Sequence, residues 1–484
     1  MTTTLLLPTV LLWALQGQTA PDREADMFGG EDPAPPAADA GADAPPAEGP
    51  PSTSDAAGRD EAIFGGPATP SPSVQNPVVG LLEEAEKFTQ VGGTLFPRLN
   101  SSLREGMALQ TATLTAPSLI DAFADVRPND RLRGFAQLRF TYDPTVTPGQ
   151  TNPLTGVEQK AFDLLLDQAW MKFDLGRVVF VTAGKQRIRW GTGRFWNPTD
   201  FINTDIRNSV DFFDQRVGVN LLKLHFPFEA LGWNLYLIGT FDRVTTLEGA
   251  GVAGRAEFVF GEAELAVSSL VKKDAPLRFG ADMSAGVWLF DVRAEGTLQR
   301  GLGRRLFEGD LDFTEGVFPT EVDTDDEWYF QGVLGADISL KYSDVDNVVF
   351  GGEYFFNQAG YKNADLYPWL FINNAFAPLY TGQHYAAVFA AAAGPRAWNL
   401  QDLSLTLSTL GNLSDLSFLT RVDFQVRILQ YLTWNVFTTV HYGNVGEFHI
   451  GIDIPPVPAI PPLAEGFTLE NEMIDVGTAL RMVF

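Results

Sequence analysis

The chain has 484 residues, no cysteine and a net charge of −26. The lack of cysteine excludes disulfides, thiolate metal sites and cysteine nucleophiles, and the acidic balance argues against nucleic acid or an anionic bilayer face as partner. Mean hydropathy is near zero and no stretch reaches the ~20 apolar residues of a membrane helix, but barrel strands expose apolar side chains only at alternate positions, so a membrane barrel stays open.

Residues 1–20 read as a secretory signal. Leu5 to Leu15 form an apolar core too short to span, and the small residues Gly17 and Ala20 follow. No Lys or Arg precedes the core and Pro21 follows Ala20, so no cleavage site is assigned. Residues 21–77 are dominated by Pro, Ala, Gly, Asp and Glu. Such a segment buries too little apolar area to offset its ordering entropy, which predicts disorder. Residues 21–66 carry eleven Asp/Glu against two Arg. Within them Arg23–Gly30 resembles Arg59–Gly66, each an acidic run, an apolar residue and Phe-Gly-Gly. Phe28 and Phe64 then serve as docking anchors for a periplasmic protein partner, or the repeat is drift in low-complexity sequence. Residues 78–90 predict a short amphipathic helix, with Val78, Leu81, Leu82, Ala85 and Phe88 on one face.

From residue 91 to 484 the period is two. In 132–142 Leu132, Ala136, Leu138 and Phe140 alternate with Arg133, Gln137 and Arg139; in 417–428 Phe418, Val422 and Phe424 alternate with Arg421, Asp423 and Gln425. Many strands run to ten residues or more, against five or six in ordinary sheets, and ~9–11 tilted residues cross a bilayer. Short turns near 127–130, 174–177, 227–232, 260–262, 284–286, 343–347, 393–398 and 429–431 alternate with longer connections such as 143–160, 188–215, 300–328, 358–381 and 444–472. Short periplasmic turns and long outer loops mark an all-β, transmembrane antiparallel β-barrel in the bacterial outer membrane, facing lipid. The count is 18 strands, or 16 if 92–104 and 118–127 are not strands. Leu480, Met482 and Phe484 end the last alternating run. This run resembles the C-terminal strand of outer-membrane proteins, which implies recognition by the barrel-assembly machinery.

Residues 184–203 contain G-x-Q-x-x-x-W-G-x-G followed by N-P-x-D. This motif resembles one found in porin-like outer-membrane proteins and, more distantly, in alginate-export-like barrels, and it implies a channel without naming a solute. Lys185, Arg187 and Arg189 are spaced to share a luminal strand face. The connection 190–215 is rich in Trp, Phe, Asn and Asp, which predicts an inward fold with Trp190, Phe195 and Trp196 on the wall and Arg194, Asp200 and Asp205 near the axis. The rival reading is a rim turn.

Arg131, Arg133 and Arg139 precede Asp163 and Asp167, and the three cations of 185–189 follow. This set makes either a transverse field acting on anionic or zwitterionic solutes or a salt-bridge network stiffening the wall. The spacing favours the network slightly. Asp323, Asp325, Asp326 and Glu327 read as a solvated acidic loop, and the four histidines show no metal-ligand spacing. No nucleophile elbow, phosphate loop or zinc-protease motif occurs, so no enzyme, cofactor or metal is expected. Two functions remain: a passive or weakly selective channel for small polar solutes, or a barrel anchoring a trans-envelope complex through its N-terminal segment.

Overall fold

The computed structural model describes residues 88–147, 149, 158–203, 216–343, 346–394, 403–457 and 464–484. The signal, the acidic segment and its Phe28 and Phe64 lie outside the described residues. So does the helix expected over 78–90, except at its end. There Thr89 and Gln90 belong to the first strand, because Thr89 pairs with Val126 and Gln90 with Asp125.

Eighteen strands follow one another in an antiparallel meander. Two are interrupted: β1 (Thr89–Phe96, then Arg98–Arg104) and β2 (Thr113–Thr115, then Ser118–Asn129). Pro97 has no N–H to give the ladder, though its carbonyl still accepts from Leu480 at 3.1 Å. Next come β3 (Leu132–Tyr142), β4 (Phe162–Leu175), β5 (Val179–Gln186), β6 (Val219–Phe228), β7 (Trp233–Thr240) and β8 (Gly251–Phe260). They are followed by β9 (Ala263–Val271), β10 (Leu277–Val287), β11 (Phe290–Arg300), β12 (Trp328–Lys341) and β13 (Asn347–Asn357). The wall ends with β14 (His384–Ala393), β15 (Ser404–Asn412), β16 (Ser417–Leu429), β17 (Leu432–Gly443) and β18 (Glu472–Val483). The sheet closes where β18 pairs with β1, Thr94 opposite Val483 and Arg98 opposite Ala479. Closure leaves no free edge, as a lipid environment requires.

Side chains alternate across this wall. Leu138, Val422, Leu480 and Met482 are exposed on the outside, while Arg139, Arg421 and Asp423 are buried on the inside. Exposed aromatics form two girdles. Phe228, Phe260, Trp288, Tyr342, Tyr431 and Phe484 lie at the end that carries Thr89 and the last strand's end, and Tyr142, Phe162, Phe279, Trp328, Tyr354 and Tyr442 lie at the other. An apolar band between two aromatic girdles is the surface of an outer-membrane barrel.

The turn expected at 284–286 lies instead at Trp288 and Leu289. Gly286 is still paired with Asp291, and Trp288 takes the positive φ of 59° that reverses the chain. At the outer mouth, the described residues of the connections 301–327, 358–383 and 444–471 pack on one another. Helix α1 (Tyr367–Ile372) lies there, and its Phe371 and Ile372 pack against Ile450, Ile452 and Leu469 beside Phe313.

Candidate functional site: an inward segment on two wall carboxylates

The strand β5 stops at Gln186, and β6 does not begin until Val219. Gly184 has φ +122°, and a Cβ there would sit 2.2 Å from the Ala169 carbonyl. Only glycine fits this close approach, two residues before the strand ends. The described part of the connection, 187–203, runs into the barrel and packs on two parts of the wall. Ile188, Trp190, Phe201 and Ile202 join Leu221 of β6, Tyr236 and Ile238 of β7 and Ala253 of β8. Phe195 and Trp196 join Val333 of β12, Phe355 of β13, Tyr385 and Phe389 of β14 and Leu410 of β15. Trp196 stacks on Phe355 at 5.7 Å and donates its indole N–H to Leu379 O at 2.9 Å. Burying each such ring stabilises the inward path by about 2–3 kcal/mol.

Between the two apolar contacts, inward carboxylates hold the backbone. Glu295 of β11 accepts from the amides of Thr192 and Gly193 and from Thr199 Oγ1 (2.8 Å) and Asn197 Nδ2 (3.2 Å). Glu353 of β13 accepts from the amides of Arg194 (2.7 Å), Phe195 (2.9 Å) and Trp196 (2.8 Å). Charge-assisted bonds of this kind are roughly twice as strong as neutral ones. Gly193 belongs to the device: a Cβ there would lie 2.0 Å from Trp196 O.

The expected aromatic residues Trp190, Phe195 and Trp196 are buried against the wall. Arg194 departs from the expected axial place. Its guanidinium bonds Asp337 of β12 at 2.9 Å and lies 4.4 Å over Phe389, so a wall carboxylate and a ring hold it aside. Asp200 is likewise engaged, by Arg216 (2.8 Å) and Asn203 (2.8 Å). Asp205 lies outside the described residues.

Lys185 needs a larger correction, because it does not share a luminal face with Arg187 and Arg189. It pairs with Ala169 of β4 and Asn220 of β6, on the outer face with Met171 and Ala183. Its ammonium reaches Leu166 O at 2.6 Å. The sheet has ended by Arg187, so period two no longer applies. Arg187 turns inward to Asp167, and Arg189 reaches Gly193 O at 3.5 Å.

The remaining charges form a chain along the inner wall of β2–β4. Arg139 bonds Asp121 (2.8 Å) and Asp167 (3.1 Å). Asp167 is the extra residue of a β-bulge, since Gln137 faces Gln168 while Leu138 faces Leu166. The bulge turns its carboxylate inward between Arg139 and Arg187. Arg133 bonds Asp125 at 3.0 Å. Arg131 lies at the periplasmic turn on Asp174 (2.8 Å), and Asp163 lies at the outer end of β4 near Lys160 (3.7 Å). Sequence reasoning missed Asp121, Asp125, Glu295, Asp337 and Glu353. The only signal was a lone acid at a luminal position, as in Gly-Gly-Glu353.

No protein-family model matches the chain, and no curated protein matches it. Among solved structures it is similar to OccAB1 of Acinetobacter baumannii, at 9% identity over 82% of this chain and 96% of that one (TM-score 0.49). It is also similar to OprB of Pseudomonas putida, at 9% identity over 84% and 96% (TM-score 0.44). A triple mutant of the Rhodopseudomonas blastica porin matches at 10% identity over 82% and 100% (TM-score 0.39). By its own closed ladder and lipid-facing band, with a segment folded into the barrel, the protein is an outer-membrane β-barrel.

Proposed function

We propose that the barrel is a passive, weakly selective channel for small polar solutes. The observation that carries this reading is the fastening of 187–203 on Glu295 and Glu353. It fixes the segment at a defined place within a lumen that eighteen strands make wide enough for water. The segment takes up the side of β6–β9 and β12–β15, which leaves solutes the inner face of β2–β4. That face carries the aromatic ladder Phe123–Phe135–Trp170, with Gln137, Arg133 and Arg187 beside it. Arg133 and Arg187 keep 23% and 30% of their side-chain surface exposed, although each is paired. Such cations favour anionic or zwitterionic solutes modestly.

Planar-bilayer recording tests the proposal. The intact barrel is expected to conduct, and deletion of 192–210 to raise single-channel conductance. Unchanged conductance in the deletion would count against a role for the segment in the pore. No conductance in either form would favour the anchor, in which residues 21–66 dock a periplasmic protein. In that case Phe28→Ala with Phe64→Ala should release the partner without unfolding the barrel.

A further inference from the structure

Three ligand-type side chains meet on the inner face beside the closing seam: His441 of β17 with Glu472 and Asp475 of β18. Register brings them together, since Thr439 pairs with Asp475 and Val440 with Ile474. All three are buried, at 6%, 5% and 4% exposure. One ligand atom from each lies within 4.8 Å of the others, and His441 Nε2 is 3.0 Å from Asp475 Oδ2.

The imidazole orientation is informative. His441 Nδ1 is 2.5 Å from the Phe448 carbonyl, which can only accept, so Nδ1 carries the proton. In the neutral ring Nε2 then aims a lone pair at the two carboxylates. Glu472 Oε1 and Asp475 Oδ1 are buried with no hydrogen-bond partner among the described residues. The nearby Arg104 donates Nη1 to the Glu470 carbonyl at 2.7 Å. Two carboxylates and an imidazole nitrogen thus converge out of water, a costly arrangement unless a proton or a metal cation lies among them.

We propose that His441, Glu472 and Asp475 bind one divalent transition-metal ion of the zinc class, tying the last two strands to the outer loop that carries Phe448. One imidazole and two carboxylates suit zinc and its first-row neighbours, whereas calcium takes six to eight oxygens. An Nδ1–H donated to a backbone carbonyl is the usual outer support of a metal-bound histidine. Donors at about 2.0–2.2 Å from zinc stand roughly 3.3–3.6 Å apart in a tetrahedron. His441 and Asp475, at 3.0 Å, stand slightly closer than that, and Glu472, within 4.8 Å of both, completes the set through a change of its rotamer.

The test uses untagged, full-length folded protein in detergent, stripped by chelator and titrated with Zn²⁺, with Ca²⁺ and Mg²⁺ as controls. One Zn²⁺ per barrel is expected, with a raised Tm and no comparable response to the controls. His441→Gln, and Glu472→Gln combined with Asp475→Asn, should each weaken binding tenfold or more. Should the variants fail to fold, Co²⁺ added to the unaltered barrel supplies the second readout, a visible absorption band of N/O ligation at one equivalent. No 1:1 binding, binding unchanged in folded variants, or no Co²⁺ band would overturn the proposal. The cluster would then be a protonated histidine held between carboxylates.

Discussion

Glu353 accepts the backbone amide of Trp196 at 2.8 Å, and the same carboxylate takes the amides of Arg194 and Phe195. A side chain on the barrel wall thereby fixes the path of the inward segment through its backbone. Glu353→Ala should orphan three amides, at about 1–3 kcal/mol for each that stays buried. The segment is expected to loosen, raising open-channel noise and mean conductance and lowering the thermal midpoint. Glu353→Gln keeps one acceptor oxygen and should fall between. A barrel in which Glu353→Ala conducts as quietly as the parent would argue that the apolar contacts alone hold the segment.

Charge selectivity separates Lys185 from Arg187. Arg187→Gln removes an inner-wall cation and leaves the Asp167 carboxylate one cation short, with Arg139 still beside it, so both effects lower any preference for anions. Lys185→Gln alters the outer face and should leave selectivity unchanged. Reversal potentials in a salt gradient measure both. An equal shift in the two variants would contradict the placement of Lys185.

Closure of the barrel depends on a glycine. Gly93 donates to Phe484 O at 2.8 Å and accepts from Phe484 N at 3.0 Å. A Cβ at Gly93 would lie 2.6 Å from the Asp121 carbonyl and 2.8 Å from the Phe484 ring. Gly93→Val should therefore push β1 off both neighbours and reduce the heat-modifiable, inserted form on gels. Phe484→Ala leaves the backbone pair intact and removes only the aromatic. Full insertion of Gly93→Val with poor insertion of Phe484→Ala would make the ring, and not the seam, the critical element.

Alternation made the strands legible, because a wall between lipid and polar lumen imposes period two on both faces. The inward segment was legible through Trp190, Phe195 and Trp196, whose rings have nowhere better to go than the wall. Its anchors were not. Glu295 and Glu353 sit at ordinary luminal positions, and only three-dimensional register reveals which one meets the segment. Lys185 misled because the spacing of 185, 187 and 189 continues past Gln186, where the sheet stops. The neighbouring Val181 and Ala183 already marked its face as the lipid side. The His441 cluster was invisible for a similar reason: its ligands lie on two strands joined by a long connection, and pairing alone brings them together.

The outer loops should respond to pH through Glu447. This residue lies in the connection after β17, almost wholly buried. Its carboxylate accepts from Tyr385 Oη at 2.5 Å, from Asn412 Nδ2 at 2.9 Å and from the Leu379 amide. Burial, together with the nearby Asp415 carboxylate, pushes its pKa up to about 8, so the folded loop favours the protonated acid. For a carboxyl whose folded pKa lies above its unfolded value, the stabilisation is complete below the unfolded value of 4.5 and is lost as pH rises through about 8. The loop should therefore be most firmly seated in mild acid and loosen in mild alkali. Limited proteolysis of 444–471 between about pH 6 and pH 9 measures this. Glu447→Gln, neutral throughout, should flatten the profile when parent and variant are digested side by side. A parent profile that matches the variant's across the range would remove Glu447 as the source of the response.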